Sequence, residues 1–553
     1  MNHRDFNRRQ FMQSAFYSSL LFGADASSII GSSAYAAPSP LNKKILVNLN
    51  LSGGPDLRHL LVPAYDTADD SFGGKYWKHR TRSHQLEETT ATAQQRYEQD
   101  YVEFEVGDAN WNSKGLVDAT GVNSGEKFGI WREAGWLIDM MREGNAALVF
   151  SAVGGTNRAH DLSSLMLAQG DTLANLNNRE ASGWGGRLAR SAGGKALSMN
   201  SSANAFLYGP KGAAPNYDPT IADNIDLISV DNSRRFGLFD HDLGSDQFKN
   251  QDDKMARAAK NYYAALRQEQ VAAAYQKAQD HESKIREFGE LVKALLTDEN
   301  IPVPDLIRAL DSGVGDINID PNDPGDVGDP NNRRVLRSGS FANQIQNLYD
   351  MIAINDVAQL DPRVMSMSYG SWDSHGDQRR IPAILASDPN NPYEYRGIET
   401  GFKDIFGGQF GASPNDPSAL HSGFSALWAS LPNSSAGSNI VVTIAGEFGR
   451  QIRDNGDSGT DHGKGNLMFV IGEGVRGGVY GEIFQDAEVD KYDNESLRTP
   501  DIDPLTDIDS FFSKVSDWVA PGSGVSVFPR TSPSYTGDAP RIEVPGMFDN
   551  MMI

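Results

Sequence analysis

Cysteine is absent from all 553 residues. No disulfide, thiolate zinc site or cysteine nucleophile is therefore available. Positive charge is scarce as well: 50 Lys and Arg stand against 73 Asp and Glu, a net charge of -23. Nucleic-acid binders need basic patches, so no nucleic-acid partner is expected. Long apolar runs are also missing, and no segment suffices to cross a bilayer. What is present is ordinary for a soluble globular protein, with 39% hydrophobic and 22% charged residues. The length allows one large α/β domain with insertions.

The N-terminus reads as an address. Asn7-Arg8-Arg9-Gln10-Phe11-Met12 resembles the twin-arginine export motif, with Arg8 and Arg9 as its pair. A weakly apolar stretch follows over residues 16–30, and Ala34-Tyr35-Ala36 is an A-x-A cleavage site. Residues 1–36 are expected to be a signal peptide, and 37–553 a single domain. The expected location is periplasmic or secreted, in a Gram-negative bacterium, with the twin-arginine translocase as a partner during export.

The richest stretch runs from Asn439 to Gly481. Ile440-Val441-Val442-Thr443-Ile444-Ala445 is short, β-branched and bounded by polar residues and Gly, so it predicts a buried strand. Glu447 and Arg450 follow directly. A Gly-rich loop then ends in Thr460-Asp461-His462-Gly463, and Leu467 to Ile471 predicts a second buried strand. Val364 to Tyr369 repeats the design and runs into Trp372-Asp373-Ser374-His375. Asp373 and His375 are two apart, which puts them on one side of an extended chain. Ile45 to Leu51 predicts the first strand and leads to Ser52-Gly53-Gly54-Pro55-Asp56. There the glycines permit a tight turn and close approach to a ligand. Ala146 to Ser151 predicts another strand. Arg158 and His160 follow it, at the head of a helix that ends at Gly170. Polar groups at the carboxyl ends of buried strands are where open α/β enzymes bind ligands. Carboxylates with imidazoles suit Zn, Mn or Mg.

Other segments carry less chemistry. Residues 64–127 read as loops and short helices around a site entrance. Helices are expected at 136–141, 183–188, 341–358, 424–431 and 511–519, and 387–417 reads as a long loop. A helical insertion is expected over about 251–340. Within it, residues 316–329 place oxygen side chains at alternate positions, as a calcium loop begins, but Pro321 stands where such loops need Gly.

Four segments together resemble one bacterial family, domain of unknown function 1501, the exported, sulfatase-like branch of the alkaline phosphatase superfamily. They are Ser52-Gly53-Gly54-Pro55-Asp56, Trp372-Asp373-Ser374-His375, Glu447-Phe448-Gly449-Arg450 and Gly459-Thr460-Asp461-His462-Gly463. The resemblance implies a central, mostly parallel sheet between helices, metal ligands at strand ends and a nucleophile at a helix N-terminus. The missing cysteine excludes a member that needs a modified cysteine, but not one built on serine. By motif position, Asp56, Asp373, His375, Glu447 and His462 would be ligands, with Asp461 beside them. Two departures stand out. Phe448 occupies the place of an expected histidine. Ala159-His160 stands where the family often has Ser-His, so a hydroxyl nucleophile is missing unless Thr156 or Ser163 serves.

Two functions are compatible with this. One is an exported metal-dependent hydrolase of phosphate or sulfate esters. Zn, Mn, Mg or Ca would be its cofactor and an anionic small-molecule ester its substrate. His160, Arg158 and Arg450 would act on that ester. The other is a catalytically degenerate relative that binds or assembles with an unknown periplasmic protein.

Overall fold

Strand β1 (Ile45–Leu51) is buried along nearly its whole length, as a strand covered on both faces must be. The computed structural model describes residues 43–230, 340–353, 361–378, 397–408, 423–431, 439–535 and 542–553, less a few short stretches within those spans. The leader, the insertion over 251–340 and the calcium-like stretch at 316–329 lie outside the described residues. Spatial contacts divide the chain into two units. In the smaller, Val230, residues 346–353 and Asp361 are described, and Asn347 Nδ2 donates to Val230 O at 3.0 Å.

The larger unit is built on one mixed, mostly parallel sheet. Its further strands are β2 (Ala146–Val153), β3 (Lys195–Ser198), β4 (Leu227–Ser229), β5 (Pro362–Tyr369), β6 (Ile440–Gly446), β7 (Asn466–Ile471), β8 (Gly478–Tyr480) and β9 (Thr506–Asp507). The order is β8-β2-β7-β6-β1-β5-β3-β4, with β9 also paired to β2. β1 runs parallel to both β5 and β6, so that Leu51 aligns with Tyr369 and with Gly446. β7 alone runs against its neighbours β6 and β2. The carboxyl ends of β1, β2, β5 and β6 therefore lie on one edge of the sheet.

Alternation assigns the two faces. Leu46, Val149, Val364, Met468 and Val470 join a core with Trp184, Phe511, Phe512 and Val515. This brings helices Trp184–Ser191 and Ile508–Val519 onto that face. On the other face, Phe469 meets Phe406 at a ring separation of 5.2 Å. Two layers of helix over one sheet bury both sides of the strands.

The strands expected from the apolar runs are all present, as are the helices at 135–142, 184–191, 340–353, 423–430 and 508–519. Two regions differ from expectation. Residues 64–127 include strand Tyr101–Glu105, which forms a small antiparallel sheet with Lys127–Trp131 and Leu61–Pro63. Ile398–Phe406, inside the expected loop, is an amphipathic helix that buries Ile398, Phe402, Ile405 and Phe406. Neighbouring Pro, Gly and Asn obscure that helical spacing. No helix among the described residues is long and apolar enough to cross a membrane.

Candidate metal centre

Four loops from the shared sheet edge converge. The loop after β6 folds back on itself: Gln451 N donates to Asp461 O at 2.9 Å and Gly463 N to Gly449 O at 2.7 Å. This short ladder brings Glu447 and His462 into one place. After β5, Ser374 N donates to Trp372 O at 2.8 Å, a three-residue turn. That turn, rather than an extended strand, brings Asp373 and His375 together. Helix α1 (His160–Gln169) opens with His160 itself.

Three imidazoles meet at Asp373. His462 Nε2 lies 2.8 Å from Asp373 Oδ1, and His375 Nε2 lies 3.1 Å from the same oxygen. His160 Nε2 is 3.4 Å from Asp373 Oδ2, and the Nε2 atoms of His375 and His462 are 2.9 Å apart. The opposite nitrogen of each ring has its own acceptor. His160 Nδ1 is 2.5 Å from Glu447 Oε1, His375 Nδ1 is 3.0 Å from Asp461 Oδ1, and His462 Nδ1 is 2.9 Å from Arg158 O. An acceptor at Nδ1 fixes the proton there and leaves the Nε2 lone pair free. Three Nε2 lone pairs and one carboxylate then face one another. Lone pairs do not bond to each other, so the cluster as built is a set of donors for a cation. A histidine whose second nitrogen is held by a carboxylate or carbonyl is the usual arrangement for a metal ligand. A tetrahedron with bonds of about 2.0–2.1 Å has edges of roughly 3.3 Å, close to the spacings above. His160, Asp373 and His462 offer donor atoms that lie within 4.8 Å of one another, a set that suits one divalent ion, and His375 adjoins them at His462.

The supports around the cluster are buried. Glu447 is 1% exposed. Besides His160 it accepts Gly53 N at 3.2 Å and Ser164 Oγ at 2.6 Å. Asn455 Nδ2 donates to Asp461 Oδ1 at 3.1 Å. Phe448 forms a wall, its ring centre 4.3 Å from that of His462 and 5.0 Å from that of His160. Partial burial alone would raise the pKa of Asp373. Contact with the His462 ring and the hydrogen bond from Arg450 outweigh it and bring the carboxyl down to about 2.

Other expected site residues are placed differently. The Asp56 carboxylate is buried and paired with Arg80 Nη1, and Gln378 Nε2 donates to it at 2.7 Å. Burial would raise its pKa, but the neighbouring Arg80 and His59 charges hold it below the ordinary value. A buried carboxylate needs such a partner. Asp56 therefore belongs to a sealed network and not to the histidine cluster. Arg450 is 2% exposed. Its guanidinium donates to the carbonyls of Gly53, Gly54, Trp372 and Thr460 and to Asp373 Oδ1. It fastens the loops together and does not face an open site. The Arg158 side chain is paired with Asp501. Of the two hydroxyls considered as nucleophiles, Ser163 donates to Asn157 O at 2.7 Å and Thr156 to Met166 Sδ at 3.6 Å.

The glycines of the first motif also play another part. Gly53 has φ +115°, and a Cβ there would lie 2.6 Å from Asp373 N. At Gly54, φ +66°, a Cβ would lie 2.2 Å from the Phe448 ring. The close approach is to the protein's own loops. Sequence reading missed Ser164, Arg80 and Gln378. Ser164 carried a signal, since four residues after His160 is the same face of a helix. Arg80 carried none, because it reaches Asp56 only through the tertiary fold.

Residues 401–502 match the family described as Protein of unknown function (DUF1501), a span that includes Glu447, Asp461 and His462. No curated protein and no solved structure matches the chain. Over residues 401–502 the chain is thus similar to the DUF1501 family of proteins of unknown function.

Proposed function

We propose that the protein is an exported, metal-dependent hydrolase of phosphate or sulfate esters, built on a sulfatase-like member of the alkaline phosphatase superfamily. The observation that carries the reading is the histidine trio: each ring is anchored at Nδ1, and each directs Nε2 at Asp373. His160, His375, His462 and Asp373 would hold the ion. Three nitrogens and one oxygen suit Zn or Mn better than Mg or Ca, which prefer oxygen alone. A bound divalent ion would supply Lewis acidity toward the anionic oxygens of an ester.

The chain's own residues do the positioning. Glu447, Asp461 and the Arg158 carbonyl hold the three Nδ1 protons and fix the ring orientations. Ser164 donates to Glu447 and so lies on the Nδ1 side of His160, behind the ring. It positions the carboxylate and does not attack at the cluster. Water is then the nucleophile this arrangement favours. His160 is spent as a ligand, which replaces the catalytic role expected for it.

A second reading, a degenerate relative that only binds, is favoured by Phe448. Its ring covers the flank of His160 and His462, where a second ion's ligands would stand. One experiment separates the readings. Elemental analysis of the purified mature protein is expected to find about one equivalent of Zn or Mn. The same sample is expected to cleave an aryl phosphate or sulfate. His462→Ala abolishes both. Metal without cleavage of any ester in a broad panel leaves the binding reading. A protein that retains no metal defeats the hydrolase.

A further inference from the structure

A tetrahedral ion held by four protein donors is closed, whereas catalytic sites of this kind keep one position open. Hydrolysis at the proposed centre therefore asks one of His160, His375, His462 and Asp373 to give way.

The four are not held alike. Asp373 accepts from Arg450, whose buried guanidinium is also fastened to four backbone carbonyls. His160 leans on Glu447, which is buried and takes Gly53 N and Ser164 Oγ as well. The His462 side chain is 16% exposed, stands against the Phe448 ring and has the Arg158 carbonyl at Nδ1. The His375 side chain is 45% exposed, and the group at its Nδ1 is Asp461, itself 50% exposed. His160 is as open as His375, at 44%. What separates these two rings is support: a buried carboxylate behind one, a solvent-facing carboxylate behind the other. His160, Asp373 and His462 also form a close set without His375.

His375 and Asp461 are tied to each other by a third side chain. Asn455 Nδ2 donates to His375 O at 2.7 Å and to Asp461 Oδ1 at 3.1 Å. Its Oδ1 accepts Asp457 N at 2.9 Å, which fixes which end of the amide donates. This tie does not depend on His375 Nε2. A carboxylate at Nδ1 keeps the proton there and stabilises the charge that the ring takes on when Nε2 accepts another. A ligand built in this way is a base once released.

We infer that His375 is the exchangeable ligand of the centre: it yields its place as the ester enters and then, held by Asp461, takes the proton of the attacking water. One O–H bond of water breaks and its proton passes to His375 Nε2. The water oxygen bonds to the phosphorus or sulfur, and the ester P–O or S–O bond breaks, its electron pair leaving on the alcohol oxygen. His375 Nε2 returns the proton to that oxygen. This rests on the hydrolase reading.

The test is proton NMR of the full mature protein loaded with Co(II), whose ligand rings show hyperfine-shifted signals. Inorganic phosphate and sulfate are the probes, and calorimetry reports their binding. Three ring sets are expected without anion and two with it. The ring that is lost should be the one missing from His375→Ala and shifted in Asp461→Asn. His375→Ala should keep about one equivalent of metal at saturating Zn yet cleave aryl esters at least a hundredfold more slowly. Should that variant not fold, Asp461→Asn still assigns the ring. Three rings kept with the anion bound, as in expansion to five donors, overturns the inference. So do loss of a different ring, failure of both anions to bind, and wild-type cleavage by His375→Ala. A protein that cleaves esters with three rings kept retains the hydrolase reading and loses this one. Displacement of His375 without cleavage of any ester removes the hydrolase reading, and the base with it.

Discussion

Two groups of charged side chains, made from the same residue types, lie at the same sheet edge and differ in one respect. Around Asp56 every charge has its counterpart. Arg80 pairs with Asp56, Gln378 bridges toward His59 and Thr460, and His59 Nε2 meets Glu399 Oε1 at 3.0 Å. Asp56, His59, Arg80 and Glu399 are all buried. Around Asp373 the groups are partly exposed, and like meets like, lone pair against lone pair. The first group neutralises its charges internally, although Asp56 Oδ1 accepts no hydrogen bond. The second would be completed by the cation proposed for it. Residue type at a strand end therefore does not by itself mark a binding site.

The largest test of this contrast is Arg80→Ala. It leaves Asp56 buried with Gln378 but without its counter-charge, and chemical denaturation should show a loss of about 3–5 kcal/mol. A loss under about 1 kcal/mol would mean that Asp56 is not sealed. Next is Glu488, buried against Arg58 at 3.1 Å. Burial pushes its pKa from an ordinary 4.5 up to about 7, more than Arg58 and Lys491 pull it down. Between those values the folded chain holds a proton that the unfolded chain has lost. Stability from this group therefore falls as pH rises from 4.5 through 7, by up to roughly 3 kcal/mol. Glu488→Gln should flatten that slope in melts taken across the range; an unchanged slope would place its origin elsewhere.

The open cluster should respond to metal instead. Zn at a hundred times its dissociation constant should stabilise the wild type by about 2.7 kcal/mol. His462→Ala should erase this shift without a comparable loss in the metal-free protein. A large loss without metal would make the cluster structural. The smallest expected effect is that of Asp461→Asn, which alters the acceptor at His375 Nδ1. Zn affinity measured by competition with a chelator should drop 10–100-fold, or about 1.4–2.8 kcal/mol, with the fold unchanged. Affinity equal to the wild type would remove Asp461 from the support of the site.

The sheet was legible because its strands are short, apolar and β-branched. Ile440 to Ala445 and Leu467 to Ile471 gave both position and burial. The cluster was legible in part, since Asp373, His375 and His462 follow such strands. What the sequence concealed was orientation. Arg450 and Asp56 follow strands equally well, yet one turns inward to backbone carbonyls and the other to Arg80. Those directions depend on contacts between residues tens or hundreds of positions apart, which no local pattern encodes. The small antiparallel sheet escaped notice because Leu61–Pro63 is three residues long and Tyr101–Glu105 alternates weakly.

Glu447, Asp461 and His462 sit between β6 and β7, which are hydrogen-bonded neighbours. A connection pinned at both ends in this way has no slack. One residue added between Gly446 and Asn466 would disturb the ladder at Gly449–Gly463 and move support and ligand apart. The chain between His375 and Ile440 carries Gln378 and Glu399, which bond to Asp56 and His59, but none of the proposed ligands. Natural variation in length should collect in that second connection, while the first keeps its residue count.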